Sequence, residues 1–443
     1  DPGDPARLYA AVIDGAGQGI YTSDDTGATW APINDAAMDA LMDATTNNIE
    51  LAVHDSVGNN VIYAGVMNDG QMAGMFRSDD YGATWGAMDI PQTDEDGILV
   101  GIQPRVHPGS QGRKHFSIVA DPVDPDVVYV GGDRQPKSDG DTGSWPNSIG
   151  ADDYTGRLFR GDASEAPGSQ WTALTHDPST SNGSAPHADS RDMVFDAAGN
   201  IIEADDGGVY KRTNPELNNG DWYSLNGNLM VSELHSVKWD SVTGTILAGS
   251  QDIGTPEQVT PGGLVWREVS KGDGGKVAVD DSGAESLRYS SYFEFGTFRR
   301  LSYDSDNNET GSTDIDLTIV GSNGNSLSEK YDSTVQFYQP FELNIIDPSR
   351  MIIGTDYLYE SSNRGDDITA LGGLTDLTSD GLDNDNDGAP DDADEFMPIN
   401  PVGTTTALAY GGVQGGAPNP DVLYVGTDDG KVLVRTAGGG LPT

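Results

Sequence analysis

The chain has 443 residues, of which 35% are hydrophobic and 58 are glycine. This length allows two or three average domains or one large all-β domain, and the frequent turn residues argue against long helices. The formal net charge of −47 repels nucleic-acid phosphates, so we expect no nucleic-acid partner. The lack of cysteine excludes disulfides, thiolate metal sites and a cysteine nucleophile. No stretch offers the roughly 18 consecutive apolar residues of a membrane helix, so we expect no membrane span.

A strand–turn–strand pattern recurs along the whole chain. About eight units follow one another at intervals of roughly 40 to 75 residues, which is typical of propeller blades with inserted loops. The most regular strand of each unit is predicted at 8–12, 61–65, 127–131, 200–203, 245–249, 287–290, 351–354 and 422–426. Four short strands per unit predict an all-β fold, a single β-propeller over residues 1–443 with seven or eight four-stranded antiparallel blades.

The two ends of the chain do not match complete units. The first unit begins at what should be its second strand, and the last stops after its third strand, at 432–435. The sequence leaves two interpretations open: the chain is a fragment of a longer extracellular protein, or its termini complete shared blades. The acidic surface suits a calcium-rich medium, and we expect a secreted or cell-surface location. The oligomeric state is not predicted.

Two of the units contain the same eight-residue turn, Ser-x-Asp-x-Gly-x-Thr-Trp, at 23–30 and 78–85, and a partial copy stands at 361–365. These turns resemble the Asp-box, or BNR repeat, of sialidases, xyloglucan-cleaving endoglucanases and Vps10/sortilin receptors. The resemblance implies a propeller architecture rather than one activity. Asp25 and Asp80 are expected to accept backbone N–H bonds within their turns, which is a structural role. Trp30 and Trp85 are expected to lie buried between blades.

An acidic segment within the predicted insertion 376–399 has the spacing of a calcium loop. Carboxylates stand at positions 1, 3, 5, 9 and 12 of the loop, glycine stands at position 6, and the residue at position 7 can offer its carbonyl oxygen. Calcium needs six to eight oxygen ligands, which this spacing supplies. The segment resembles EF-hand-like loops and the Asp-rich calcium repeats of exported bacterial proteins, with Pro390 and Asp394 as departures. The alternative is a disordered acidic insertion. The predicted Ca²⁺ ligands are Asp383, Asp385, Asp387, Ala389, Asp391 and Asp394.

Polar residues gather where the innermost strand of a blade begins and where its second strand ends, two places that share one mouth of a propeller. His115, Asp133 and His235 are examples. A concave mouth lined by histidine, arginine and carboxylates favours a ligand or metal site. The alternative is that these groups cap strands and satisfy one another around a water-filled channel. The candidate ligand-binding residues are His187, Asp189, Arg191, Asp205, Asp206, Asp252 and Asp273.

The sequence does not assign catalytic residues. Two carboxylates across a cleft would suit glycoside hydrolysis, but so many aspartates make such pairs inevitable. The Arg-Ile-Pro motif that accompanies the first sialidase arginine is absent, so a xyloglucanase-like hydrolase is favoured over a sialidase. We expect a non-catalytic extracellular module that binds a glycan or protein ligand, or a structural surface module. The alternative is a glycoside hydrolase or polysaccharide lyase acting on an extracellular polysaccharide.

Overall fold

The structure is a computed structural model in which two compact units, Asp1–Val231 and Ser232–Thr443, can be distinguished. Regular structure among the described residues is almost entirely strand, with one four-residue helix, α1 (Ala36–Asp39), and the 3₁₀ turns Gly15–Gly17 and Phe293–Phe295. No described helix has the length and apolar character that a membrane crossing requires. The residues described are 1–13, 15–54, 61–101, 109–140, 142–229, 232–328, 331–376 and 396–443.

The first unit is built of antiparallel sheets whose strands are hydrogen-bonded in chain order. The sheets are β1–β3, β4–β7, β10–β13 and β14–β17, with the hairpin β8–β9 between the second and the third in sequence. The strands are β1 (Leu8–Val12), β2 (Gly19–Ser23), β3 (Ala31–Pro32), β4 (Thr46–Val53), β5 (Ile62–Asn68), β6 (Gln71–Ser78), β7 (Gly86–Met88), β8 (Gln92–Glu95), β9 (Ile98–Gly101), β10 (Ser117–Ala120), β11 (Val127–Arg134), β12 (Gly156–Asp162), β13 (Trp171–Ala173), β14 (Asp192–Phe195), β15 (Ile201–Asp205), β16 (Gly208–Arg212) and β17 (Trp222–Ser224).

The second unit repeats this plan with sheets β18–β21, β22–β25, β27–β30 and β33–β35. Strand β26 adds to the third of these sheets in parallel with β30, and β31–β32 form a hairpin. The strands are β18 (Leu234–Asp240), β19 (Thr245–Ser250), β20 (Pro256–Gln258), β21 (Trp266–Glu268), β22 (Gly274–Asp280), β23 (Ser286–Tyr292), β24 (Arg299–Tyr303), β25 (Glu309–Asp314), β26 (Thr318–Ile319), β27 (Phe341–Leu343), β28 (Met351–Gly354), β29 (Leu358–Ser361), β30 (Asp367–Ala370), β31 (Leu374–Asp376), β32 (Phe396–Pro398), β33 (Thr405–Gln414), β34 (Ala417–Thr427) and β35 (Val432–Arg435).

Within each unit, successive sheets pack face to face. The inner strands β4, β10 and β14 contact one another in that order, and so do β18, β22, β27 and β33. The core lies between these faces; Tyr63 and Val128, for example, come from neighbouring sheets and share one buried cluster. Four-stranded antiparallel sheets in series, almost without helix, are blades. The fold is all-β and of the β-propeller class, as the repeats predicted, and the regular strands predicted from them coincide with β1, β5, β11, β15, β19, β23, β28 and β34.

A glycine in the second strand of several sheets lets the next sheet approach. A Cβ on Gly65 would lie 2.6 Å from the Phe116 ring, and a Cβ on Gly249 would lie 1.7 Å from the carbonyl oxygen of Gly275. Gly131 and Gly354 meet the following sheet in the same way. Real Cβ contacts are never so short, so a side chain at these positions would force successive blades apart. The glycine that recurs in the repeats therefore sets the spacing between sheets.

The Ser-x-Asp-x-Gly-x-Thr-Trp turns are held by their own side chains. In the first, Thr29 N donates to Asp25 Oδ1 at 2.8 Å and Gly27 N donates to Ser23 Oγ at 2.8 Å. The second turn has the same bonds at the same distances, with Asp80 accepting from Thr84 N. Both aspartates thus serve their turns, as predicted.

The tryptophans of these two turns differ from the prediction that both are buried. Trp30 is 43% exposed, and its Nε1 donates to the nearby Gly27 O, so the ring folds back over its own turn. Trp85 is half-buried; its Nε1 donates to Ile33 O at 2.6 Å, in the segment that follows the preceding sheet. The prediction was wrong for Trp30 because no earlier sheet in the described chain covers the first turn.

Candidate functional site

Antiparallel pairing brings the polar residues of each unit to one end of its sheets. The start of an inner strand lies beside the end of the second strand; Asp192 at the start of β14, for example, pairs with Ala204 near the end of β15. The segments that carry the candidate residues precede inner strands or follow second strands. Among the described residues, each unit has one such group of side chains.

The group in the first unit, here called the acid–histidine cluster, consists of His187, Glu203, Asp205 and Asp206. The imidazole Nδ1 of His187 lies 2.9 Å from Asp206 Oδ1. One ligand atom from each of His187, Asp205 and Asp206 can be chosen so that all three lie within 4.8 Å of one another. Gly207 is required beside them, because a Cβ there would lie 2.4 Å from His187 Cγ. Three of the predicted residues are therefore brought together.

Glu203 was not predicted from the sequence, although it is the most buried member of the cluster. It is two residues before Asp205 on β15, so both side chains leave the strand on the same face. Glu203 is fully buried, and neither of its carboxylate oxygens has a hydrogen bond of good geometry among the described residues, although Ser190 and Asp205 lie beside it. Strand alternation, with Ile201 also buried on that face, is the pattern that could have revealed it.

Burial and mutual repulsion govern the protonation of these carboxyls. Burial and then the charge of Asp205 raise the pKa of Glu203 well above its usual value. Burial also raises the pKa of Asp205, whose Oδ1 accepts a bond from Gly207 N at 2.9 Å. For Asp206 burial is outweighed by the hydrogen bond from His187, which lowers its pKa. The cluster thus holds more carboxyl groups than its one histidine can neutralise.

The remaining predicted residues of the first unit surround this cluster. Asp189 has a positive φ of 68°, and its backbone N donates to Asp133 O at 3.0 Å. Its carboxylate lies 3.9 Å from the buried His115 Nδ1. Burial, followed by the charge of the exposed Arg191, lowers the pKa of His115 to about 4. Burial raises the pKa of Asp133 to about 6.

The second unit carries the other two predicted residues, Asp252 and Asp273. Asp273 precedes β22, and its Oδ1 accepts a bond from Asp252 N at 3.0 Å and a short one from Gln251 Nε2. Gln251 Nε2 also donates to Asp252 Oδ1 at 3.2 Å. These three side chains, here called the polar edge, tie the turn after β19 to the segment entering β22.

Aromatic rings that were not predicted lie beside the polar edge. This aromatic patch consists of His235, Tyr292, Phe293, Phe337 and Tyr338. The rings of His235 and Tyr338 are stacked with centroids 3.7 Å apart, and those of Phe293 and Phe337 are stacked at 4.9 Å. Phe337 is 40% exposed and Tyr338 is 38% exposed.

Two contacts join the patch to the polar edge. His235 Nε2 lies 3.2 Å from Gln251 Oε1, and the Tyr338 hydroxyl donates a short hydrogen bond to the same oxygen. The patch also stands beside a strained turn, since Glu294, Phe295 and Thr297 all have positive φ values near 50°. Such strain in non-glycine residues concentrates at functional sites. The rings of the aromatic patch, the Gln251 amide and the two carboxylates of the polar edge thus form one preordered surface.

The predicted calcium ligands lie outside the described residues, because the structure does not describe 377–395. The prediction of calcium binding by Asp383, Asp385, Asp387, Ala389, Asp391 and Asp394 therefore stays a prediction.

No protein-family model and no curated protein sequence matches the chain. Among solved structures, the chain is similar to a GH74 enzyme of Niastella koreensis, with 14% identity, a TM-score of 0.32, and 99% of this chain and 74% of that chain covered. It is also similar to YCF48 bound to a D1 peptide, with 11% identity, a TM-score of 0.25, and 89% of this chain and 92% of that chain covered. The fold class follows from the sheets of the chain itself, and these likenesses assign no activity.

Proposed function

We propose that the chain is a non-catalytic, extracellular, calcium-binding module that binds a neutral glycan through the aromatic patch of its second unit. The observation that carries this proposal is a pair of solvent-exposed rings beside the polar edge, Phe337 and Tyr338, each stacked on a half-buried ring of the patch. Exposed rings grouped in this way mark interaction surfaces rather than core. Sugar rings present C–H faces that pack on aromatic rings, and their hydroxyls bond to amides and carboxylates.

The contacts around the patch favour binding in one fixed geometry. Because Gln251 already holds Tyr338 and Asp273, the surface loses little conformational freedom when a ligand arrives. The net charge of −47 would repel an anionic polysaccharide, which is the reason for proposing a neutral one.

The surroundings of the candidate carboxylates argue against hydrolysis. A glycosidase needs a carboxylic acid and a second carboxylate that both reach the sugar. Glu203 has the raised pKa of an acid but is fully buried, so it cannot reach a substrate. Asp273 is occupied by two donors that fix the local loops. The carboxylates of both groups are thus better suited to holding structure than to turnover.

Affinity electrophoresis in gels containing xyloglucan, mixed-linkage β-glucan, galactomannan or starch tests the proposal. Phe337→Ala and Tyr338→Ala should each weaken binding of the retarding polysaccharide about two- to twelvefold, because each removes a stacking ring worth about 0.5–1.5 kcal/mol. Tyr424→Ala is the matched control, since Tyr424 is an exposed ring of the second unit outside the patch.

Two outcomes would contradict this function. One is that both patch variants are retarded as strongly as the wild type, or that no gel retards the wild type at all. The other is release of new reducing ends or unsaturated uronates, with turnover lost in Asp189→Asn or Asp206→Asn while folding is intact. The second outcome would establish the hydrolase or lyase alternative.

Calcium binding by the segment 383–394 is a separate part of the proposal. Its donor spacing supports a Ca²⁺ site, and extracellular calcium is abundant enough to fill even weak modules of this kind. Calorimetric titration with calcium should show a site in the wild type that Asp385→Ala removes. Equal calcium binding by the two proteins would refute the assignment.

A further inference from the structure

We propose that His187, Asp205, Asp206 and Glu203 of the first unit form a second metal site, which binds a divalent transition-metal ion such as Zn²⁺ or Mn²⁺. This site is independent of both the predicted calcium loop and the glycan-binding patch. Two observations support this site: the positions of the ligand atoms, and buried carboxylate oxygens that lack well-formed hydrogen bonds.

The ligand atoms already have the spacing that an ion requires. Donor atoms around a tetrahedral zinc ion at bond lengths of about 2.0–2.2 Å lie roughly 3.4 Å apart. The three atoms offered by His187, Asp205 and Asp206 lie within 4.8 Å of one another, and the His187–Asp206 pair is 2.9 Å apart. Small side-chain rotations would therefore place all three on one ion.

Unpartnered oxygens point to a cation in this place. Asp205 is 9% exposed and Glu203 is fully buried, yet Asp205 Oδ2 and both oxygens of Glu203 lack a hydrogen bond of good geometry among the described residues, and Glu203 has only Ser190 and the like-charged Asp205 beside it for weaker contacts. Buried polar atoms are nearly always paired, and leaving one unpaired costs about 1–3 kcal/mol. A divalent ion would satisfy these oxygens and neutralise the excess negative charge at once.

The donor set selects the class of metal. Calcium and magnesium prefer oxygen ligands throughout, whereas an imidazole nitrogen suits transition metals. One histidine with two or three carboxylates is a mixed set that Zn²⁺ and Mn²⁺ accept. Gly207 supports this set indirectly, because only a residue without a side chain leaves room for the His187 ring.

The test is titration of the full chain with Zn²⁺ and Mn²⁺ in excess calcium, which fills the proposed calcium loop. The wild type should bind one ion that His187→Ala and Asp205→Asn each weaken at least tenfold. Gly207→Ala should weaken it too, because the added Cβ displaces the imidazole while every ligand stays in the chain. Asp192→Asn is the control: it removes an exposed carboxylate of neighbouring β14 and should leave binding unchanged.

A wild type that binds neither ion, or a His187→Ala variant that binds like the wild type, would overturn the proposal. Should a variant fail to fold by circular dichroism, anomalous diffraction from zinc-soaked crystals of the unmodified chain decides the question. A peak between His187, Asp205 and Asp206 is expected there, and its absence would equally refute the site.

Discussion

At the scale of single residues, some carboxyl groups of this chain lie at the surface and others lie in the interior, and their pKa values shift in opposite directions. Asp25 lies at the surface, and hydrogen bonds from the Thr29 hydroxyl and backbone lower its pKa to about 2. Glu203 lies in the interior, and burial raises its pKa. The sequence predicted the first role because the turn motif places the acceptor beside its donors. The second role could have been found only from the alternation along β15, which puts Glu203 on the same face as the buried Ile201.

The buried His115 makes the stability of the fold depend on pH. Its environment includes Arg191 and Lys114, which oppose protonation, and Asp189 and Asp206, which favour it, while burial dominates. In the unfolded chain the imidazole takes up a proton near pH 6.5, but in the folded chain only near pH 4. His115 therefore stabilises the fold fully above pH 6.5, and this contribution is lost as the pH falls towards 4.

The free energy of unfolding should show this loss when wild type and His115→Gln are compared by urea denaturation between about pH 4 and pH 7. The wild type should lose up to about 3 kcal/mol more than the variant across that window. Other carboxyl groups titrate in both proteins and cancel in the difference. Parallel pH profiles would show that His115 is protonated in the fold as readily as in water.

At the scale of elements, the repeated glycine determines how sheets stack. The repeats reveal the second strands, but the reason for their glycines appears only in the structure, where Gly249 lies against Gly275 of the next inner strand. A backbone atom cannot rotate away as a side chain can. A glycine that recurs within a strand therefore indicates that neighbouring sheets approach closely there, and it does not indicate a turn.

Gly249→Ala should destabilise the protein by about 3 kcal/mol, because its Cβ would lie 1.7 Å from the Gly275 carbonyl oxygen and the sheets must separate. Gly311→Ala on β25 is the control; its nearest neighbour, Ser302 Oγ, would lie at an ordinary 3.6 Å. That variant should change stability by less than about 1 kcal/mol. Urea unfolding measures both, and equal midpoints for the two variants would contradict this role of Gly249.

At the scale of the whole molecule, the fold class could be predicted from periodicity, but the binding surface could not. The predicted residues Asp252 and Asp273 lie at the polar edge, yet the rings of Phe337 and Tyr338 come from a segment outside the repeats. No repeat position predicts where such a segment lies. Tyr289, in contrast, lies on β23, a strand that the repeats predicted, and is fully buried.

The proposed binding mode is tested most directly by a crystal structure of the chain with an oligosaccharide of the polysaccharide that it retains. We expect an intact sugar chain with one ring stacked on Tyr338 or Phe337 and its hydroxyls bonded to Gln251, Asp252 or Asp273. A sugar bound away from these rings, or cleavage products in place of the intact chain, would contradict it.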